Sequence, residues 1–266
     1  MRILSLLFLV LVASTPGVMA AESLQSKASV TISDLSHGRE HVVSIFSGPD
    51  GLLGAVIEGD DKRRDIAWLS PNGQALLAGS LMGPHGEDLT RQAKIAQGLV
   101  LSPKMALEEI INKNGRGAIM AGTRGPVLTI FFDPNCIFCH LLYGKLVPLI
   151  QAGQVRVRFV IVGTLKASST PRGAAILGDP NPAMALDSNE RSFDGHREEG
   201  GFPVPSKNSA SMIQAVEANN NLFQVAGLTG TPSTIYCNTK GQVEVLSGMP
   251  SNINQFVASA GLAPCP

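Results

Sequence analysis

The chain has 266 residues, 21 Lys+Arg against 21 Asp+Glu, 44% hydrophobic residues and 16% charged ones. A formal charge of +0 removes the overall field that a nucleic-acid binder or an anionic-membrane protein relies on. So high an apolar fraction with no net charge excludes a disordered chain, and 28 Gly and 17 Pro without a three-residue period exclude a collagen-like one.

The first twenty residues read as a secretory signal peptide. Arg2 supplies a positive charge, Ile3 to Ala13 form an apolar run, Pro16 and Gly17 break any helix, and Val18-Met19-Ala20 ends on a small residue. The run is too short to span a bilayer, which takes about 20 apolar residues. Cleavage near Ala20 is expected, leaving a near-neutral chain exported to an oxidising compartment.

Residues 21–86 read as a β module. Val30-Thr31-Ile32, Val42 to Phe46, Ala55-Val56-Ile57, Ile66 to Leu69 and Ala75-Leu76-Leu77 are short apolar or β-branched runs. Gly48-Pro49-Asp50-Gly51, Gly59-Asp60-Asp61 and Pro71-Asn72-Gly73 separate them, as hairpin turns do. A core this small favours a partner surface, so the region is a candidate dimerisation module. Residues 87–122 read as a helical linker. Leu89, Ala93, Ile95 and Ala96 pattern one helix up to Gly98. Ser102-Pro103 starts another, with Leu107, Ile110 and Ile111 on one face and Asn114-Gly115 to close it. The alternative is that both helices pack on a single domain.

Residues 123–266 change to strand, helix, strand. Val127 to Phe132 is a continuous apolar run, as in a strand covered on both faces. Cys136 to about Ala152 is helical in pattern, with a kink expected at Pro148, and Val155 to Val162 is the next strand of a right-handed βαβ unit. Residues 164–226 are read as inserted helices. Thr234-Ile235-Tyr236 and Gln242 to Leu246 form a hairpin, and Ser251 to Ala260 a closing helix.

The chemistry lies in Cys136-Ile137-Phe138-Cys139-His140. Asp133-Pro134-Asn135 turns a buried strand into a helix, placing Cys136 at its N-terminus, where free N–H groups and the helix dipole favour a thiolate. Cys139, one turn deeper, is then the resolving thiol. The same spacing admits covalent haem attachment or half of a zinc site. The strand context speaks against haem, and the lack of a second close Cys pair speaks against zinc. No cofactor and no metal is expected. Thr231-Pro232, just before a strand, is a substrate-facing cis-proline loop if the fold is thioredoxin-like. Asp133 and His140 read as solvated surface residues, with an influence on proton transfer as the alternative. Cys237 and Cys265 are left over. A structural bridge is the simpler reading, and a second exchange-active pair is the other.

These residues resemble the DsbC/DsbG family of periplasmic thiol:disulfide interchange proteins, DsbG more closely. The resemblance spans the chain beyond the signal. It is carried by Trp68 to Gly73, Gly86 to Thr90, the turn Phe132 to Cys139, Leu149 to Gly163, Ala174 to Leu177, and Thr231-Pro232. Ile137 and Phe138 depart from the Pro-Tyr or Gly-Tyr usual inside the motif. The resemblance implies an α+β homodimer, with a cystatin-like N-terminal domain, a helical linker, and a thioredoxin-like catalytic domain with a helical insertion. It further implies misfolded or oxidised secreted proteins as substrates and re-reduction by a membrane thiol reductase of the DsbD type. It leaves a holdase chaperone and a sulfenic acid reductase as rival activities.

Overall fold

The computed structural model describes residues 16–84, 87–112 and 117–262. Most of the expected signal, the helix-closing Asn114-Gly115 and Cys265 lie outside these residues. The chain divides between Leu99 and Val100 into two compact units.

The first unit runs through helix α1 (Pro16–Ser36), strands β1 (Glu40–Ser47), β2 (Leu53–Gly59), β3 (Arg64–Leu69) and β4 (Leu76–Leu77), and helix α2 (Leu89–Ala96). The strands form one antiparallel sheet in chain order. Helix α1 begins on Pro16, because a first-turn proline lacks only an N–H that has no helical partner. One expectation is corrected here. Val30-Thr31-Ile32 is helical rather than extended. Ala28 and Ile32, one helical turn apart, both bury against Leu53, Ala55, Ala67 and Leu69, so packing overrides the β-branched preference. The Thr31 hydroxyl donates to the Gly73 carbonyl at 2.8 Å. A second cluster holds Val56, Ile66 and Trp68, with Ala93 of α2 against it. The Trp68 indole N–H donates to Thr90 Oγ1 at 2.9 Å.

The second unit contains helix α3 (Pro103–Asn112), strands β5 (Ala118–Ala121) and β6 (Val127–Phe132), helix α4 (Ile137–Gln151) and strand β7 (Arg156–Ile161). Helices α5 (Ser169–Gly178), α6 (Pro182–Arg191) and α7 (Ala210–Val225), strands β8 (Ser233–Cys237) and β9 (Val243–Ser247), and helix α8 (Ile253–Ser259) follow. The sheet order is β5-β7-β6-β8-β9, with β6 and β7 parallel and the other pairs antiparallel. Ala118–Ala121, read above as linker, is an edge strand of this sheet, and the two linker helices fall in different units.

The apolar run of β6 is split by strand alternation. Leu128, Ile130 and Phe132 pack with Leu142 and Leu146 of α4 on one face; Phe131 packs with Phe223 of α7 and Ala106 and Ile110 of α3 on the other. A strand sandwiched in this way cannot slip register without exchanging two filled faces. Its C-terminal end is therefore a fixed platform for the turn that follows. Helix α4 continues through Pro148 to Gln151.

Candidate active site

The turn from β6 into α4 is held by buried polar side chains. Asp133 is fully buried, and its Oδ1 accepts from the Asn135 N–H at 2.9 Å. Its Oδ2 accepts from the N–H groups of Thr164 and Leu165 at 2.8 and 3.1 Å. The solvated reading of Asp133 is thus corrected: it is the anchor of the turn, and three N–H donors compensate its burial. Asn135 Oδ1 accepts from the Gly200 N–H at 3.0 Å, and its Nδ2 donates to Ser168 and Ser169. Asn189 Nδ2 donates to the Pro134 carbonyl at 2.9 Å and to Glu190 Oε1 at 2.8 Å. At Gly200 an added Cβ would collide with Asn189 and the Pro134 carbonyl, so glycine is required by close approach. The helical insertion thereby fixes the turn from below.

Cys136 is the N-cap of α4, and Cys139 lies one turn in. Both are free thiols; Cys136 keeps 4% of its surface and Cys139 none. The Cys139 N–H points at Cys136 Sγ at 3.4 Å. The two sulfurs are driven in opposite directions. The Cys139 thiol, donating to Cys136, is the largest influence lowering Cys136, to about 6; burial opposes it. The Thr231 side chain and the N–H groups of Cys139 and Phe138 lower it further. Burial pushes Cys139 well above the usual thiol range, and its bond to Cys136 adds to this. A low-pKa thiol beside a protonated one is the arrangement of an attacking and a resolving sulfur.

Across from Cys136 stands Thr231-Pro232, joined by a cis peptide bond. Cys136 Sγ lies 3.2 Å from the Thr231 carbonyl oxygen, to which the protonated thiol donates. Phe138, Leu141, Leu165 and Met184 are large apolar side chains exposed in this unit; Phe138 and Leu141 are on α4 itself.

His140 was also read as solvated, and this is corrected. Its Nδ1 lies 3.0 Å from Glu190 Oε2, and its ring stacks on Phe193 at 4.5 Å between centroids. Cys139, with none of its surface exposed, does not fit covalent haem attachment. Cys237 sits at the end of β8 beyond the Leu128–Tyr236 pairing, at the opposite end of β6 from Cys136. It is disulfide-bonded. Cys265 lies outside the described residues. The sequence reading missed Asn135, Asn189 and Glu190. The Asp-Pro-Asn turn offered a signal for Asn135, since Asx side chains bond their own turns. Nothing in Ser188-Asn189-Glu190-Arg191 marks two of its members as buried.

Residues 118–259 match the thioredoxin-like domain family, over half of the chain. The chain belongs to this family and is a thiol:disulfide oxidoreductase of its DsbC/DsbG group. It is 28% identical over 212 residues to the thiol:disulfide interchange protein DsbG of Pseudomonas aeruginosa, covering 79% of each chain. It is 23% identical over 251 residues to the protein of that name from Escherichia coli, covering 91% of this chain and 94% of the other. The solved structure of Helicobacter pylori DsbG aligns at a TM-score of 0.37 and 18% identity, over 78% of this chain and 98% of that one.

Proposed function

We propose that the protein is a periplasmic disulfide isomerase and reductase of secreted proteins, with Cys136 and Cys139 as its reacting groups. The observation that carries this reading is the opposed ionisation of two sulfurs one helical turn apart. The Cys136 thiolate attacks one sulfur of a substrate disulfide and forms a mixed disulfide, releasing the other sulfur as a thiolate. In isomerisation, a second substrate thiolate attacks the mixed disulfide, re-forms a substrate disulfide and returns the Cys136 thiolate. In reduction, Cys139 loses its proton and attacks Cys136. This closes a Cys136–Cys139 disulfide and leaves the substrate with two thiols, so two electrons have passed to it. A membrane thiol reductase of the DsbD type then returns two electrons. The backbone at Thr231 and Pro232, against the Cys136 sulfur, positions the substrate strand, and exposed Phe138 and Leu141 suit apolar segments of incompletely folded chains.

The family also makes residues 21–86 the cystatin-like homodimerisation domain. The N-terminal pattern makes residues 1–20 the signal peptide, and the two remaining cysteines of an exported chain make Cys237–Cys265 a bridge that ties down the C-terminal segment.

The test is exchange on a scrambled disulfide substrate with glutathione as reductant. Cys136→Ala is expected to lose at least ~1,000-fold of both activities, as removal of a nucleophile does. Cys139→Ala is expected to lose reduction while retaining isomerisation. Exchange that survives in Cys136→Ala overturns the assignment. Full suppression of aggregation by that variant, with no cellular defect in disulfide pairing, would favour the holdase reading instead.

A further inference from the structure

The second unit holds a cavity of about 240 Å³ between α3 and its sheet, at the end of β6 away from the dithiol. Its floor is built on paired strands. Arg156 of β7 stands beside Val127 of β6, and Arg158 beside Thr129, with Ile235 of β8 next in the row. Leu107 and Ile111 of α3 form the roof. The Gly261 N–H donates to the Cys237 carbonyl at 2.8 Å, which brings Leu262 to one end. Ile111 and Leu262 are 50% and 76% exposed, so the mouth is apolar.

The cationic wall is the unusual part. Strand alternation sends Arg156 and Arg158 to one face of the sheet, both half-buried. A guanidinium stays charged, so β7 sets two positive charges side by side. Arg156 Nε donates to the Gly125 carbonyl at 3.0 Å, and Arg158 Nη1 to Thr129 Oγ1 at 3.2 Å; both acceptors are uncharged. Neither arginine forms an ion pair among the described residues. Arg172 of the same unit, by contrast, has Glu199 at 2.7 Å. The Arg158 guanidinium is held below its usual range by burial first and by the Arg156 charge next. An anion set against the pair offsets that repulsion and fills the donors left over.

We propose that this cavity binds a small amphiphilic carboxylate, its head on Arg156 and Arg158 and its short apolar chain between α3 and the sheet. Size and topology select the ligand. The cavity is smaller than the ~300–1,000 Å³ of sites for drug-sized molecules, so the chain is short. The floor strands β7, β6 and β8 all lie inside the sheet, so no free strand edge is offered to a peptide. The site stands apart from the thiol chemistry, since Cys136 follows the opposite end of β6.

Calorimetry of the full chain with octanoate tests this. One octanoate should bind per chain. Octanol, which lacks the charge, and acetate, which lacks the chain, should each bind at least ~10-fold more weakly. Arg158→Gln should weaken octanoate binding by about 10–100-fold, the range for a hydrogen bond between charged groups, with thiol exchange unchanged. Ile111→Glu puts a carboxylate at the mouth from an exposed position and should weaken it likewise; it decides the matter if the Arg158 variant does not fold. Methyl NMR should show octanoate moving the Leu107, Ile111 and Ile235 resonances. Octanol or acetate binding as tightly as octanoate overturns the proposal, as does undiminished binding in Arg158→Gln and Ile111→Glu. Binding lost in Phe138→Ala instead overturns it by placing the ligand on the apolar surface of α4. No binding to the wild type overturns it too, and would mean that the cavity is closed to ligands, as the chain beyond Leu262 lying in it would make it.

Discussion

The first unit closes two apolar clusters about its sheet, and among the described residues it buries one polar side chain, Thr90, which bonds the Trp68 indole and the Leu81 N–H. The second unit buries Asp133, Asn135, Ser169, Arg172, Asn189 and Glu190 in addition to its apolar core. Hydrogen bonds tie Asp133, Asn135, Ser169 and Asn189 to the turn and to the insertion, and Glu190 joins the same network through Asn189 and His140. Burying polar groups costs stability unless every one is bonded, so a chain gains nothing by it in a region whose only task is to be a stable shape. Most of the polar burial of the second unit thus lies at the turn that carries the two cysteines and at the helices packed beneath it.

That comparison can be broken by substitution. The largest effects belong to the apolar cores. Trp68→Ala and Phe131→Ala should each cost about 3–5 kcal/mol in urea unfolding. Trp68→Ala should leave the Cys136 titration in place. A change in that titration would show that the first unit is not merely scaffold. The next effect is smaller but differs in kind. Asn189→Ala removes the donor to Pro134 and Glu190, and should cost about 1–3 kcal/mol while altering the pH profile of Cys136 alkylation. A loss of stability with an unchanged profile would place Asn189 among ordinary structural residues.

The pH dependence of stability sharpens the same contrast. Cys136 is held at about 6 in the fold, against about 8.5 in an unfolded chain. A lowered acid stabilises the fold above its unfolded value and loses that contribution as pH falls to its folded one. The reduced protein should therefore lose stability relative to the oxidised protein between about pH 8.5 and 6, as read from the difference in their urea midpoints. Equal midpoints across that range would mean that the thiolate is not favoured by the fold. The smallest effect is at Phe138, exposed in the motif: Phe138→Ala should change stability by less than about 0.5 kcal/mol while weakening binding of apolar peptides, as measured by competition.

Where sequence and structure agree, the signal was local. The run Val127 to Phe132, the helix opening at Cys136 and the hairpins around Pro71-Asn72-Gly73 each depend on a few neighbouring residues. Where they part, the deciding contacts come from afar. Val30-Thr31-Ile32 has strand-like residues, yet Ala28 and Ile32 answer to a sheet that comes later in the chain. Ala118–Ala121 is too short to announce itself and becomes a strand only through pairing with β7. Asp133 and His140 look solvated in isolation. The first is enclosed by backbone from residues 164 and 165, the second by Glu190, 50 positions on. Polar burial of this kind leaves no periodic trace, which is why the dithiol was legible and its supporting network was not.

The division of labour between the two sulfurs is tested most directly by the thiolate absorbance of the reduced protein at 240 nm as pH is raised. The expected result is one thiolate with a midpoint at about 6, assigned to Cys136 by its loss in Cys136→Ala, with Cys139 still protonated through neutral pH. Two thiolates rising together near 8.5, the value of an ordinary thiol, would contradict it.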